Sequence, residues 1–202
     1  GFRRDEVIGQ PMWNILKPEG VERVKKLNAE RWADENKGIK TGAILFVLEQ
    51  KCKDGNWIWT EVSSSPFRDS DSKITGYHGV TRDITIRKQA QQDLLKFKLG
   101  LEYSTDAIFI TDIQGVITYA NVAFEKLYGF SSGEILGKTP RILKSGLLTE
   151  ETYSAFWETL LNRQPVTGEI VNKTKSGRLL TIDGSNNPIL DYSDTLIGFL
   201  GV

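Results

Sequence analysis

An internal repeat is the feature of this chain that most restricts its fold. Residues 53–80 match residues 175–202 at a constant offset of 122, without a gap, and eight of these 28 positions are identical. An earlier block matches at an offset of 128, so the first copy has six additional residues between the two blocks. Two blocks in the same order predict two copies of one small domain, whereas a chance likeness of strand and turn residues is the alternative. The matched positions include Glu6 with Glu134 in the early block and Lys53 with Lys175 in the late block.

The repeat also predicts the domain limits. The stretch Ala107–Tyr128 of the second copy has no counterpart before Gly1. We therefore expect residues 1–85 to form a domain without its first two strands, residues 86–104 to form a helical linker, and residues 105–202 to form a second domain. We further expect the chain to belong to a longer protein.

The second copy predicts an α+β domain. Two strands come first, followed by several short helices and one longer helix, and finally by three strands joined by turns. A five-stranded antiparallel sheet with helices on one face leaves a cavity between the two layers, where a small ligand would bind. Asn121 is expected to cap a short helix, and Ser131 with Glu134 to form a capping box. The five predicted strands are Ala107–Ile110, Val116–Tyr119, Val166–Thr174, Leu179–Asn187 and Leu196–Val202.

Charge and composition exclude several function classes. The 26 Lys and Arg residues balance the 26 Asp and Glu residues, and a chain without net charge is not a general binder of nucleic acids or anionic membranes. The single Cys52 and the single His78 cannot form a disulfide framework or a His/Cys zinc cluster. No apolar run approaches the length of about 18 residues that spans a bilayer, and no signal peptide is present at the start. We expect a cytoplasmic chain, or the cytosolic part of a larger protein, with no metal and no membrane contact.

An ordered set of short motifs occurs along the chain. It comprises the entry Tyr119–Asn121, the helix pair Gly129–Gly137, the turn Lys175–Gly177 before a long hairpin, and the stretch Gly79–Lys88. This set resembles a PAS domain with its PAC half, seen twice. The resemblance implies a sensory module that lies upstream of a histidine kinase, a cyclic-dinucleotide enzyme or a transcription factor.

The resemblance to PAS domains also bears on catalysis and partners. The chain has no phosphoacceptor-histidine motif, no ATP-binding boxes and no GGDEF stretch. We therefore expect that it is not itself an enzyme, and that any catalysis resides in a downstream effector domain of the kinase type. A homodimer formed through the helical linker and the PAS surfaces is the expected assembly.

The linker between the copies is expected to be helical. Residues 86–99 contain no Gly or Pro, Thr85 is a plausible N-cap, and Asp83 is placed to pair with Arg87 at i+4. Its apolar residues recur at heptad spacing over about two heptads. They either dimerise as a signalling helix or cover the outer face of the domain's own sheet. The stripe consists of Ile86, Ala90, Leu94, Phe97 and Leu101.

A tryptophan and three asparagines suggest a ligand site in the second copy. Trp157 lies on the apolar face of the longer helix, and Asn172 is an amide within a half-buried strand. One of the neighbours Asn186 and Asn187 must face the cavity, because adjacent strand residues point to opposite faces. An indole opposite amides could hold a flat heteroaromatic ligand. The alternative is that Trp157 belongs to the core and Asn172 bonds to a neighbouring strand.

The surroundings of these residues give a second resemblance. The stretch Pro140–Gly146, together with Trp157 and the segment Gly168–Asn172, is similar to the flavin-binding redox PAS domains of regulators of nitrogen fixation and methane oxidation. This resemblance implies that Trp157 and Asn172 help to hold FAD, and that Arg141 and Lys144 lie near its phosphates. A PAS pair without a ligand, acting as a dimerisation and relay scaffold, is the alternative function.

Overall fold

The computed structural model describes all 202 residues, which divide into two compact units, Gly1–Asp93 and Leu94–Val202. The first unit contains helix α1, a 3₁₀ helix, the long helix α2, and strands β1, β2 and β3, which form a three-stranded antiparallel sheet in that order. A sheet of three strands is what the repeat predicts for the first copy. The bounds are Arg4–Val7 (α1), Met12–Ile15 (3₁₀), Pro18–Asn36 (α2), Ile44–Lys51 (β1), Trp57–Arg68 (β2) and Ile74–Asp83 (β3).

The core of the first unit lies between α2 and its sheet. Helix α2 begins with Pro18, whose fixed φ angle and missing N–H suit the first helical position. Val24 of α2 is buried against the inward-facing side chains of the strands. The buried cluster consists of Leu16, Val24, Phe46, Leu48 and Val62.

The second unit has a five-stranded antiparallel sheet with the order β5-β4-β8-β7-β6. The number of strands and the α+β class agree with the prediction, although the first strand is shorter than predicted and starts two residues later. The bounds are Phe109–Thr111 (β4), Ile117–Ala120 (β5), Val122–Tyr128 (α4), Ser132–Ile135 (α5), Pro140–Leu143 (3₁₀), Glu150–Leu161 (α6), Val166–Lys173 (β6), Leu179–Leu190 (β7) and Leu196–Gly201 (β8).

Residues that match in the sequence repeat make equivalent contacts in the two units. In each unit a lysine of the turn before the long hairpin forms an ion pair with a glutamate of a short helix. In each unit an isolated antiparallel bridge also joins the segment after a 3₁₀ helix to the strand that precedes this turn. The repeat is therefore structural. The ion pairs are Lys53–Glu6 and Lys175–Glu134, and the bridges are Leu16–Gln50 and Lys144–Asn172.

Helix α3, Thr85–Glu102, covers residues 86–102 of the linker that was predicted to be helical over 86–104. Two expected contacts at its start are wrong. Thr85 is the first residue of the helix and does not cap it, because its hydroxyl oxygen accepts the Trp59 N–H at 3.0 Å. The Thr85 N–H itself donates to the carboxylate of Asp83 at 2.8 Å. Arg87 pairs with Glu61 at 3.0 Å, because Asp83 already bonds to the helix start.

The apolar stripe of α3 is exposed. Ile86, Leu94 and Phe97 expose 84%, 70% and 73% of their surface. The interpretation that this stripe covers the outer face of its own sheet is therefore wrong for these three residues. None of the helices combines the length and apolarity that a bilayer span requires.

Asn121 connects three segments at the start of the helical layer in the second unit. Its side chain is fully buried. The amide oxygen accepts the Ile108 and Phe124 N–H groups, both at 2.9 Å, so the predicted cap of α4 is confirmed. The amide NH₂ group donates to the carbonyl oxygens of Leu101 at 2.9 Å and Asp106 at 2.8 Å. One buried amide thus satisfies two backbone donors and two backbone acceptors.

Replacing Asn121 by Asp should therefore destabilise the second unit by about 3 kcal/mol or more, because a carboxylate would face two carbonyl oxygens in a buried site. The measurement is denaturant unfolding combined with amide hydrogen exchange of residues 105–202. Asn187→Asp is the matched control, since Asn187 is only half-buried and makes one side-chain bond, to Ser185. Equal stability of the two variants would contradict the role assigned to Asn121.

Glu134 is the basis of a pH-dependent prediction. Its ion pair with Lys175 and its hydrogen bonds from Ser131 lower the pKa of the carboxyl to about 2. A carboxyl with a lowered pKa stabilises the fold above its unfolded pKa of about 4.3, and this contribution is lost as the pH falls towards the folded value. The small stability difference between wild type and Glu134→Gln should therefore narrow in thermal melts from pH 7 to pH 3. Glu158→Gln, at an exposed position of α6, should show no such trend.

Candidate ligand-binding cavity

A cavity lies between the helical layer and the sheet of the second unit. Helix α6 and the 3₁₀ helix form one wall, and β6 and β7 form the other, around a cavity of about 100 Å³ that opens to solvent. Thr149 caps α6 by accepting the Thr152 N–H, as its position before the helix predicts. The cavity lining includes five of the six residues selected from the sequence, namely Arg141, Lys144, Trp157, Asn172 and Asn186.

Strand parity decides which amides face the cavity. In the antiparallel pair of β6 and β7, Asn172 lies opposite Leu180, and Asn186 lies opposite Val166. Opposed residues share a face, so both amides are on the side of the helices. Asn187 is excluded from the lining, because it points the other way and donates to the hydroxyl of Ser185 at 3.1 Å. The sequence placed one member of this pair at the cavity, and Asn186 is the member that lines it, whereas Asn187 does not.

Asn172 has a partner that the sequence did not suggest. Its amide nitrogen donates to the phenolic oxygen of Tyr128, on α4, at 2.9 Å, and not to a neighbouring strand. Burial raises the pKa of Tyr128, and the bond from Asn172 opposes this shift only in part, so the phenol is neutral at pH 7. This pair joins two residues 44 positions apart, and only the approach of α4 to β6 brings them together.

Trp157 contributes to both packing and the cavity wall. Its indole ring packs edge-on against Phe199, with 5.5 Å between ring centroids, and lies next to the turn at Gly115. A Cβ atom at Gly115 would lie 3.0 Å from the indole, and the φ angle of +79° there also favours glycine. Trp157 therefore both packs against its neighbours and lines the cavity.

The two predicted cations differ in availability. The Lys144 ammonium lies 3.9 Å from the ring centroid of Tyr153 and donates to Glu150 at 3.0 Å. Arg141 is exposed at the cavity lining and is not held by an ion pair. Of the two, Arg141 is the cation free to meet an anionic group.

The two reactive side chains of the first unit, His78 and Cys52, do not form a comparable site. His78 is exposed on β3 and packs against Phe67, with 4.6 Å between ring centroids. Cys52 is half-buried beside the turn after β1. No group of three or more His, Cys, Asp or Glu side chains is placed to hold a metal ion.

Comparison with known proteins identifies the family. The model of the PAS fold matches residues 95–202, and a PAS domain model matches residues 1–85. The chain belongs to the PAS family, and it contains two PAS domains of the sensory type found in regulatory and signal-transduction proteins.

Individual relatives agree with this assignment. The nitrogen fixation regulatory protein of Klebsiella pneumoniae is 36% identical over 102 residues, which are 50% of this chain and 21% of that protein. The hybrid signal transduction histidine kinase L of Dictyostelium discoideum is 31% identical over 97 residues, which are 48% of this chain and 6% of that protein. The chain thus spans about a fifth or less of these relatives. The crystal structure of the PAS domain of a protein from Colwellia psychrerythraea superposes with a TM-score of 0.50 and 31% identity, covering 54% of this chain and 92% of that one.

Proposed function

We propose that the second unit binds FAD, or a similarly flat heteroaromatic ligand, and passes redox or ligand state through helical linkers to a downstream effector of the kinase type. The observation that carries this proposal is that Trp157, Asn172 and Asn186 line one cavity. The chain itself would be a cytoplasmic sensor and not an enzyme, with catalysis in the effector.

The chemistry of the lining suits such a ligand. Aromatic side chains pack against a flat ring, and amides meet the polar atoms at its edge. Arg141, which no carboxylate neutralises, is suited to a phosphate. Binding would be non-covalent, because the only cysteine, Cys52, lies in the first unit. The similarity to a nitrogen fixation regulatory protein over 102 residues supports the proposal.

Signalling requires a group that responds to the state of the ligand. A bound flavin supplies a redox centre whose hydrogen-bonding edge differs between its oxidised and reduced forms. An asparagine amide offers both a carbonyl oxygen and an NH₂ group, so Asn172 can match either form by turning over. The changed contact would then bias the packing of the helices on the sheet.

The second candidate function is a dimerisation and relay scaffold without a ligand. The exposure of Leu94 and Phe97 on α3 favours it, because apolar side chains in a row on one helix face are suited to a second copy of the helix. Dimerisation through α3 is compatible with either function, so we include a homodimer in the proposal.

Purified protein should show the absorption bands of a flavin, either directly or after incubation with FAD. Asn172→Ala should lower flavin occupancy or uncouple reduction from output, and Trp157→Ala should lower occupancy. Asn187→Ala is the matched control, because this amide points away from the cavity and should bind FAD as the wild type does. A colourless protein that does not bind added FAD would leave the scaffold as the function.

Leu94→Asp should convert a dimer to a monomer, because a carboxylate would be buried in the apolar contact between two α3 helices. Gln92→Asp adds the same charge at an exposed position on the opposite side of the helix and should leave the dimer intact. The measurement is light scattering over a range of protein concentrations. A wild-type protein that remains monomeric at the highest concentration would remove dimerisation from the proposal.

A further inference from the structure

We infer that Tyr128 is a positioning residue of the cavity: its phenolic oxygen holds the Asn172 amide in place, and in the orientation of the structure the amide presents its carbonyl oxygen to an N–H donor at the ligand edge. This inference rests on the proposed function, because it specifies the edge that a flat ligand must bring to the site. Tyr128 itself does not line the cavity and acts only through Asn172.

The phenol has a fixed place in the fold. The Tyr128 side chain is buried, with 4% of its surface exposed, and its ring packs against Phe124 with 4.6 Å between centroids. Its own carbonyl oxygen accepts the Lys175 N–H at 2.8 Å, which ties the end of α4 to the turn between β6 and β7. A hydrogen-bond acceptor that cannot move fixes the position of the amide bonded to it.

The amide of Asn172 has two ends, and the structure assigns them different tasks. The NH₂ group donates to Tyr128 at 2.9 Å, while the carbonyl oxygen receives no hydrogen bond from the protein. Asn172 lines the cavity, so this free acceptor is available to a ligand. A ligand whose edge carries an N–H group would satisfy it, whereas a ligand without that donor would leave it unpaired.

The choice of tyrosine adds a further property to this anchor. A neutral phenol both accepts and donates, so it can hold the Asn172 amide in the orientation of the structure or after a 180° turn. Phenylalanine would keep the ring packing against Phe124 but would hold neither orientation. Tyr128→Phe therefore separates the positioning role from packing.

The test compares riboflavin with its N3-methyl analogue, which lacks the ring N–H donor, in the oxidised state. Wild-type protein should bind riboflavin more tightly than the analogue. Tyr128→Phe should weaken riboflavin binding by about three- to tenfold, as expected for one lost hydrogen bond, and should reduce the preference for riboflavin. Tyr119→Phe is the matched control, because this phenol bonds to Glu102 and does not line the cavity.

A double-mutant cycle tests whether Tyr128 acts through Asn172. In the Asn172→Ala background, Tyr128→Phe should have no further effect on the dissociation constant. An equal loss in that background would show that Tyr128 acts by packing, and an unchanged affinity and preference in Tyr128→Phe would also overturn the inference.

A second measurement tests the role of Tyr128 even if the wild type binds no flavin. Failure to bind flavin would refute the proposed function but not the inference about Tyr128. The side-chain NH₂ signals of Asn172 in a ¹⁵N correlation spectrum should be those of an ordered amide in wild type and in Tyr119→Phe, and of a mobile amide in Tyr128→Phe. An equally ordered amide in Tyr128→Phe would overturn the positioning role.

Discussion

The buried amide of Asn121 is the interaction on which the helical layer of the second unit depends. Its oxygen holds the backbone of Ile108 before β4 and the first turn of α4, and its nitrogen holds the carbonyl of Leu101 in the last turn of α3. Because the side chain is fully enclosed, no water can replace these partners. The short helix α4 then has only one place on the sheet, and that place brings Phe124 into the core.

The cavity depends on the same helix at its other end. Tyr128, in the last turn of α4, bonds to Asn172 of β6, so α4 is held at its start by Asn121 and at its end by the lining of the cavity. The end of α3 and the cavity are thus tied to one element of two turns. A displacement of Tyr128 must either move α4 or break the bond to Asn172, and packed elements resist small continuous shifts.

The sequence predicted the features that local chemistry determines, but not those set by the approach of distant segments. The matched positions of Glu134 and Lys175 in the two copies were visible in the repeat, but the ion pair between them, which joins residues 41 positions apart, was not. The α4 cap at Asn121 followed from its type and place. The bond between Asn172 and Tyr128 could not be predicted, because it spans 44 residues and needs the tertiary fold. The cap at Thr85 was wrong because its hydroxyl oxygen accepts the Trp59 N–H of a distant strand instead of an N–H of the helix.

The two units also show how one fold can carry different roles. By the repeat, Ser64 of the first unit corresponds to Asn186 of the second. Ser64 accepts a hydrogen bond from the buried guanidinium of Arg31 at 3.4 Å, and Arg31 lies 4.5 Å from the ring centroid of Tyr77. Ser64 thus has a protein partner in the first unit, where Arg31 Nε and the Tyr77 hydroxyl are buried without one, whereas Asn186 lines the cavity of the second unit. A polar side chain that lines a cavity and has no protein partner can form a hydrogen bond with a ligand. This is the physical reason for placing the proposed ligand in the second unit.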